Sequence, residues 1–332
     1  MSISDGGASA AAAGGPTPRV RRALLLGAVG VAFLCAVVWA GAAERVDLTD
    51  GRASTRAHAA IPRRSNSSAT LPAALAVSAP RPASSWAVAA RTHGRDAVWL
   101  ARIGGVALLR FDQHFVHLVL HAGSSDGGTI GWRHGDRIGA READGVIAAI
   151  NGGFKLTAAN VGFTSAGHTA VPLTAGLASV VTYTNGSTDI GAWGRDVPSA
   201  SARVFSVLQN QRLLVAGGVP AATLAGCVLA CWGGTVEGRS TVARSGLGVT
   251  ASGELVWAAG EELSPAALAH ALIAAGAVRA IELDINPWWV NGYLYLRRRG
   301  RPTPLPLVPH QHGITGALLT PYSRDFFTFV AG

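Results

Sequence analysis

Val278-Arg279-Ala280-Ile281-Glu282-Leu283-Asp284-Ile285-Asn286-Pro287-Trp288-Trp289-Val290 is the stretch from which the rest of the chain can be read. Val278, Ala280 and the β-branched Ile281 predict a buried strand. Glu282 and Asp284 stand two apart, so on a regular strand they project from one face and look out together. Asn286-Pro287 ends the strand, because proline has no N–H to give a ladder, and two tryptophans follow at once. Carboxylates beside aromatic faces at a strand end suit a carbohydrate: the rings cover the apolar side of a sugar, and the acids bond its hydroxyls or act at its anomeric carbon. The plainer alternative is a solvated strand end with one packed tryptophan.

Upstream, Ser264 and Pro265 predict the start of a helix, Leu268, Leu272 and Ile273 give it an apolar side, and Gly276 ends it before the acidic strand. Earlier still, Arg244-Ser245-Gly246-Leu247-Gly248-Val249 and Leu255-Val256-Trp257-Ala258 predict a strand, turn and strand. Other strands are expected at Val98–Ile103, Val106–Phe111 and Phe115–His121, and in a hairpin, Ala178–Thr184 with Ser187–Trp193. Gly145–Ile150 predicts a buried strand that delivers Asn151-Gly152-Gly153-Phe154-Lys155 to one point, where backbone can approach a ligand closely. Ser124–Gly128 reads only as a turn. The expectation is an α+β domain with a mixed sheet, hairpins and a few packed helices.

Charge and cysteine usage narrow the function classes. Of 332 residues, 49% are hydrophobic, enough for a proper core, and the net charge is +9. Nearly all the positive charge is arginine, Lys155 being the only lysine, and the arginines are scattered apart from Arg297, Arg298, Arg299 and Arg301. That distribution fits GC-rich bacterial coding and carries no nucleic-acid motif. His114, His117 and His121 would share a helical face and ligate a metal. The residues around them favour a strand, which sets His114 opposite the other two. His310 and His312 have metal-compatible spacing with nothing else in support. We therefore expect no cofactor, with a structural or catalytic divalent cation left open.

The N-terminal quarter has a different character. Residues 1–22 predict a disordered basic tail and 23–43 an uncharged run long enough, at ~1.5 Å per residue, to cross a ~30 Å hydrocarbon core. Arg19, Arg21 and Arg22 before the run predict a cytoplasmic N-terminus and an extracellular remainder. The length favours an uncleaved single-pass anchor, while Ala40-Gly41-Ala42 resembles a cleavage site that would give a secreted form. Residues 44–84, rich in Ala, Pro, Ser and Arg, predict a linker. Residues 85–332 then form a single exported domain. In an oxidising compartment Cys227 and Cys231 would close a local disulfide.

Three motifs, in this order, resemble those of the phosphodiester glycosidase family: Ala148-Ala149-Ile150-Asn151-Gly152-Gly153-Phe154, Ala243-Arg244-Ser245-Gly246-Leu247-Gly248-Val249, and the helix leading into Ile281-Glu282-Leu283-Asp284. The family includes relatives of the enzyme that uncovers mannose 6-phosphate by removing N-acetylglucosamine from a phosphodiester, and the resemblance is to a bacterial, membrane-anchored branch. It implies substrate contacts from Asn151, Gly152 and Gly153; Phe154 and Lys155 of the same loop, and Trp288 and Trp289 by stacking, are expected to add to them from this chain's own residues. It also implies catalytic roles for Arg244 on the departing phosphate, Asp284 on the anomeric side and Glu282 in positioning or proton transfer. The chain departs from the family where glycines and a serine commonly follow the acidic strand, since it has Ile285-Asn286-Pro287-Trp288-Trp289, and where Glu282 stands in place of a frequent asparagine. The expected function is hydrolysis of glycosyl phosphodiester or related linkages in envelope polysaccharide or exopolysaccharide. The partners are then a carbohydrate or glycosyl-phosphate polymer and the membrane, with no nucleic acid. The rivals are a non-catalytic envelope glycan-binding or assembly protein and a phosphodiesterase cutting the phosphorus–oxygen bond.

Overall fold

In the computed structural model, residues 85–332 are described, apart from 129, 160 and 225. The expected tail, membrane span and linker at 1–22, 23–43 and 44–84 lie outside the described residues. Among those described, no helix is long and apolar enough to cross a membrane.

Among the described residues the strands assemble into sheets of eight, five and five. Every pairing between strands is antiparallel, which overturns the expected mixed α+β sheet. The architecture is β-rich, and Pro265–Ala274 is the one described α-helix longer than four residues. The reason lies in how that helix connects its neighbours. It joins strand Leu255–Leu263 to the acidic strand Ala277–Ile285, and both pair with Val242–Thr250, one on each side. The two joined strands thus run the same way, as a helical crossover requires, but an antiparallel strand lies between them.

Local signals placed this helix well. Ser264 Oγ accepts from the Ala267 amide at 3.1 Å, Pro265 opens the first turn, and Gly276 follows with φ +99°. Its Leu268 and Leu272 are buried against Leu108, Val256, Ala258 and Ala280 of the large sheet. The opposite face of that sheet carries Leu109, Phe111, Trp257, Ile281 and Leu283 into a core shared with the other two sheets, through residues such as Phe163, Val180, Leu208, Phe327 and Phe329. Phe111 and Phe329 stack there with centroids 3.6 Å apart. The five-stranded sheet containing Val146–Asn151, Phe326–Ala331 and Val116–His121 brings three strand ends toward the end of the acidic strand. Near that meeting point lie the buried Asn151, Asp284, Arg324 and Asp325.

Candidate active site

The acidic strand is irregular where its carboxylates lie. Its register against Val242–Thr250 runs Gly246↔Glu282 and then Arg244↔Ile285, so Leu283 and Asp284 together stand opposite Ser245 alone. Alternation therefore does not carry through from Glu282 to Asp284. Both carboxylates are buried, at 2% and 6% exposure, and they do not look out together. Each has its own arginine instead.

Arg244 donates to Glu282 Oε1 at 2.7 Å and also bonds the Leu263 and Trp232 carbonyls, with no part of it exposed. Burial pushes the Glu282 carboxyl up to about 7 against the charge of Arg244. This pair is sealed within the fold.

Asp284 meets a different cation. Arg324, from the turn before strand Phe326–Ala331, donates from Nη2 to Asp284 Oδ2 at 2.7 Å and to the Gly153 carbonyl at 3.1 Å, and from Nε to Asp126 Oδ2. The guanidinium also lies 4.8 Å from the ring centre of Trp289. Asp284 Oδ1 accepts from the Ile285 amide at 2.8 Å. Burial drives the Asp284 carboxyl up to about 7, opposed chiefly by Arg324. Asp284, Arg324 and Trp289 line a pocket of about 320 Å³ with Phe154, Lys155 and Gly233. Gly233 sits at φ +88°, and a Cβ on it would come within 2.8 Å of the Phe154 ring and 2.9 Å of Ile285.

The Asn151-Gly152-Gly153 segment is hydrogen-bonded to two residues that line this pocket, Asp284 and Arg324. Asn151 Oδ1 accepts from Ser245 Oγ and from the Asn291 amide, and Asn151 Nδ2 donates to the Gly152 carbonyl. The Gly152 and Gly153 amides both donate to Asp325, one to its carbonyl at 3.1 Å and one to its carboxylate at 2.8 Å. A Cβ on Gly152 would fall 2.1 Å from Asp325 Oδ2, so a close approach to an acid requires glycine here. Burial raises the Asp325 carboxyl to about 8. Asp284 is tied to the same segment, its amide donating to the Gly152 carbonyl at 2.9 Å.

The expected site residues thus divide. Asp284, Phe154, Lys155 and Trp289 line the pocket; Asn151, Gly152 and Gly153 do not line it, and the two glycines are tied to it by the bonds that their carbonyls accept from Asp284 and Arg324. Arg244 and Glu282 are a separate buried pair, and Trp288 lines another pocket of about 380 Å³ with Glu261, Glu262 and His310. Trp288 stacks on His312 at 3.9 Å while His310 pairs with Glu261, so the two histidines do not converge. Cys227 and Cys231 are joined as a disulfide, just before Trp232 and Gly233. The residues that the sequence reading missed are Arg324, Asp325 and Asp126. Their signal was slight: an Arg-Asp pair immediately before the apolar strand Phe326–Ala331, and an acid inside a turn.

No family model matches the chain, and no curated protein matches it in sequence. Its fold is distantly similar to that of the catalytic domain of zebrafish N-acetylglucosamine-1-phosphodiester alpha-N-acetylglucosaminidase auto-inhibited by its pro-peptide. The TM-score is 0.44 with 14% identity, over 70% of this chain and 78% of that one. A hypothetical protein from Synechocystis is similar with a TM-score of 0.41 and 12% identity, over 72% of this chain and 63% of the other. These likenesses concern the course of the backbone alone.

Proposed function

We propose that this chain is an exported hydrolase of glycosyl phosphodiester or related linkages in cell-surface polysaccharide, held at the membrane by residues 23–43 or released by cleavage near Ala42. The reading is carried by one contact: the Asp284 carboxylate and the Arg324 guanidinium, 2.7 Å apart, line the same pocket beneath Trp289. A glycosyl phosphate already has a good leaving group, so its hydrolysis calls for a cation on the departing phosphate more than for a general acid. Arg324 takes the role expected of Arg244, with Lys155 at the pocket rim adding positive charge. Asp284, ionised, acts on the anomeric side as nucleophile or as base for water, and the bond broken is that from the anomeric carbon to the phosphate oxygen. Trp289 and Phe154 offer apolar faces to the sugar.

The test is turnover of sugar-1-phosphodiesters in ¹⁸O-labelled water by the wild type and by Asp284→Asn. Free sugar carrying the label, lost by at least ~10³-fold in the variant, is the expected result. Label in the phosphate instead would refute cleavage at the anomeric carbon. A second reading, glycan binding without turnover, is favoured by the fact that both Asp284 oxygens already accept hydrogen bonds. Saturable glycan binding with no sugar release, unchanged in Asp284→Asn, would establish it.

A further inference from the structure

Away from the pocket, three side chains from separate segments converge. His121 ends strand Val116–His121, His134 lies in the connection that follows, and Glu142 is in the single-turn helix Ala140–Ala143. One nitrogen or oxygen from each lies within 4.8 Å of the other two. His121 Nε2 is 3.0 Å from Glu142 Oε1, and Thr328 Oγ1 bonds both residues. The imidazole of His121 is 1% exposed and stacks on Phe326 at 4.2 Å, while His134 presents its ring edge at 5.5 Å. His121 Nδ1 has no hydrogen-bond partner among the described residues, so the ring is not an ordinary satisfied core histidine.

Two imidazoles and one carboxylate at such separations are the donor set of a borderline-soft divalent ion, which takes three protein ligands and leaves a position for water. The hydroxyl of Thr328, bonded to the carboxylate, orients it as outer partners do in metal sites. We propose that His121, His134 and Glu142 bind a divalent transition-metal ion of the zinc class. Its place in the fold gives it a purpose. The segment between His121 and His134 carries Asp126, and its Ser124, Ser125 and Asp126 amides are bonded to the Tyr322 and Ser323 carbonyls beside Arg324. An ion clamping His121 to His134 closes both ends of that segment and so fixes the carboxylate that holds Arg324. Zinc binding here does not require that the pocket carry out the reaction assigned to it.

The test uses the purified full chain stripped of metal with a chelator and titrated with zinc chloride alone, read by calorimetry and thermal unfolding. Saturable 1:1 binding with a melting temperature that rises with zinc concentration is expected. Cobalt(II) in its place should give the visible absorption of a four-coordinate ion perturbed by His134→Ala. That substitution, at a half-buried position, should weaken zinc by more than the ~10–100-fold that loss of an outer partner costs. His134→Gln serves if the alanine variant unfolds, and His114→Ala, at an exposed position outside the cluster, should bind as the wild type does. A folded wild type that binds no zinc saturably, or zinc binding undiminished in folded His134→Gln and Glu142→Gln, would overturn the proposal.

Discussion

Replacing Arg324 by methionine should cost more stability at alkaline than at acid pH. The guanidinium is buried and serves two carboxylates, Asp126 and Asp284, as well as the Gly153 carbonyl. Removing one member of a buried ion pair costs about 3–5 kcal/mol, because the partner charge is left without compensation. That penalty requires the acids to be ionised. Asp284, raised to about 7, and the adjacent Asp325, raised to about 8, are neutral at pH 5, and there the share of the penalty due to these two acids falls to that of lost hydrogen bonds, about 1–2 kcal/mol. The sign follows from proton linkage. Without Arg324 these pKa values climb further, so the native state keeps protons that the unfolded chain has released above about pH 4, and stability falls more steeply with rising pH than in the wild type. At ~2–4 °C per kcal/mol for a domain of this size, the melting temperature should drop by about 6–20 °C at pH 8 and by about 2–8 °C at pH 5. Thermal unfolding followed by circular dichroism at both values measures this. A loss at pH 8 no larger than at pH 5 would show that Arg324 is not compensating buried negative charge.

Other consequences are as direct. Arg244→Met should destabilise by about 3–5 kcal/mol in urea unfolding, and Arg244→Met with Glu282→Leu should recover most of it, since the pair is sealed from solvent; a single variant of normal stability that loses turnover would place Arg244 at the reaction instead. Gly152→Ala drives a methyl into the Asp325 carboxylate and should cost about 3 kcal/mol, the upper end for overpacking, while Gly105→Ala, at an open position, should be nearly neutral. Turnover should rise as pH passes through about 7, where Asp284 ionises, and a rate that falls through that range would assign it a proton-donating role.

Strand positions, the Ser264 cap and the end of the acidic strand at Asn286-Pro287 were legible in the sequence because each depends on neighbours a few residues away: side-chain alternation, a hydroxyl three residues from an amide, a proline without an N–H. The family resemblance grouped the Asn151-Gly152-Gly153 segment with Asp284, and in the fold the Asp284 amide does donate to the Gly152 carbonyl. Local pattern could not say that the helical crossover skips a strand, because sheet order is settled by which faces bury best, and so a β-rich antiparallel fold was taken for a mixed one. Nor could it tell which arginine answers which acid. The one-residue slip between Glu282 and Asp284 sends them to different partners, and Arg324 is 40 residues from Asp284 along the chain yet 2.7 Å away in space. The same holds for His121, His134 and Glu142, whose spacing matches no metal motif because a strand, a connection and a helical turn each supply one ligand. What the sequence by itself determined was the inventory of chemical groups and the local form of the chain around them. Pairing of buried charges was decided only by tertiary structure, because the energy of a charge in the interior depends on the distance to its counterion and not on separation along the chain.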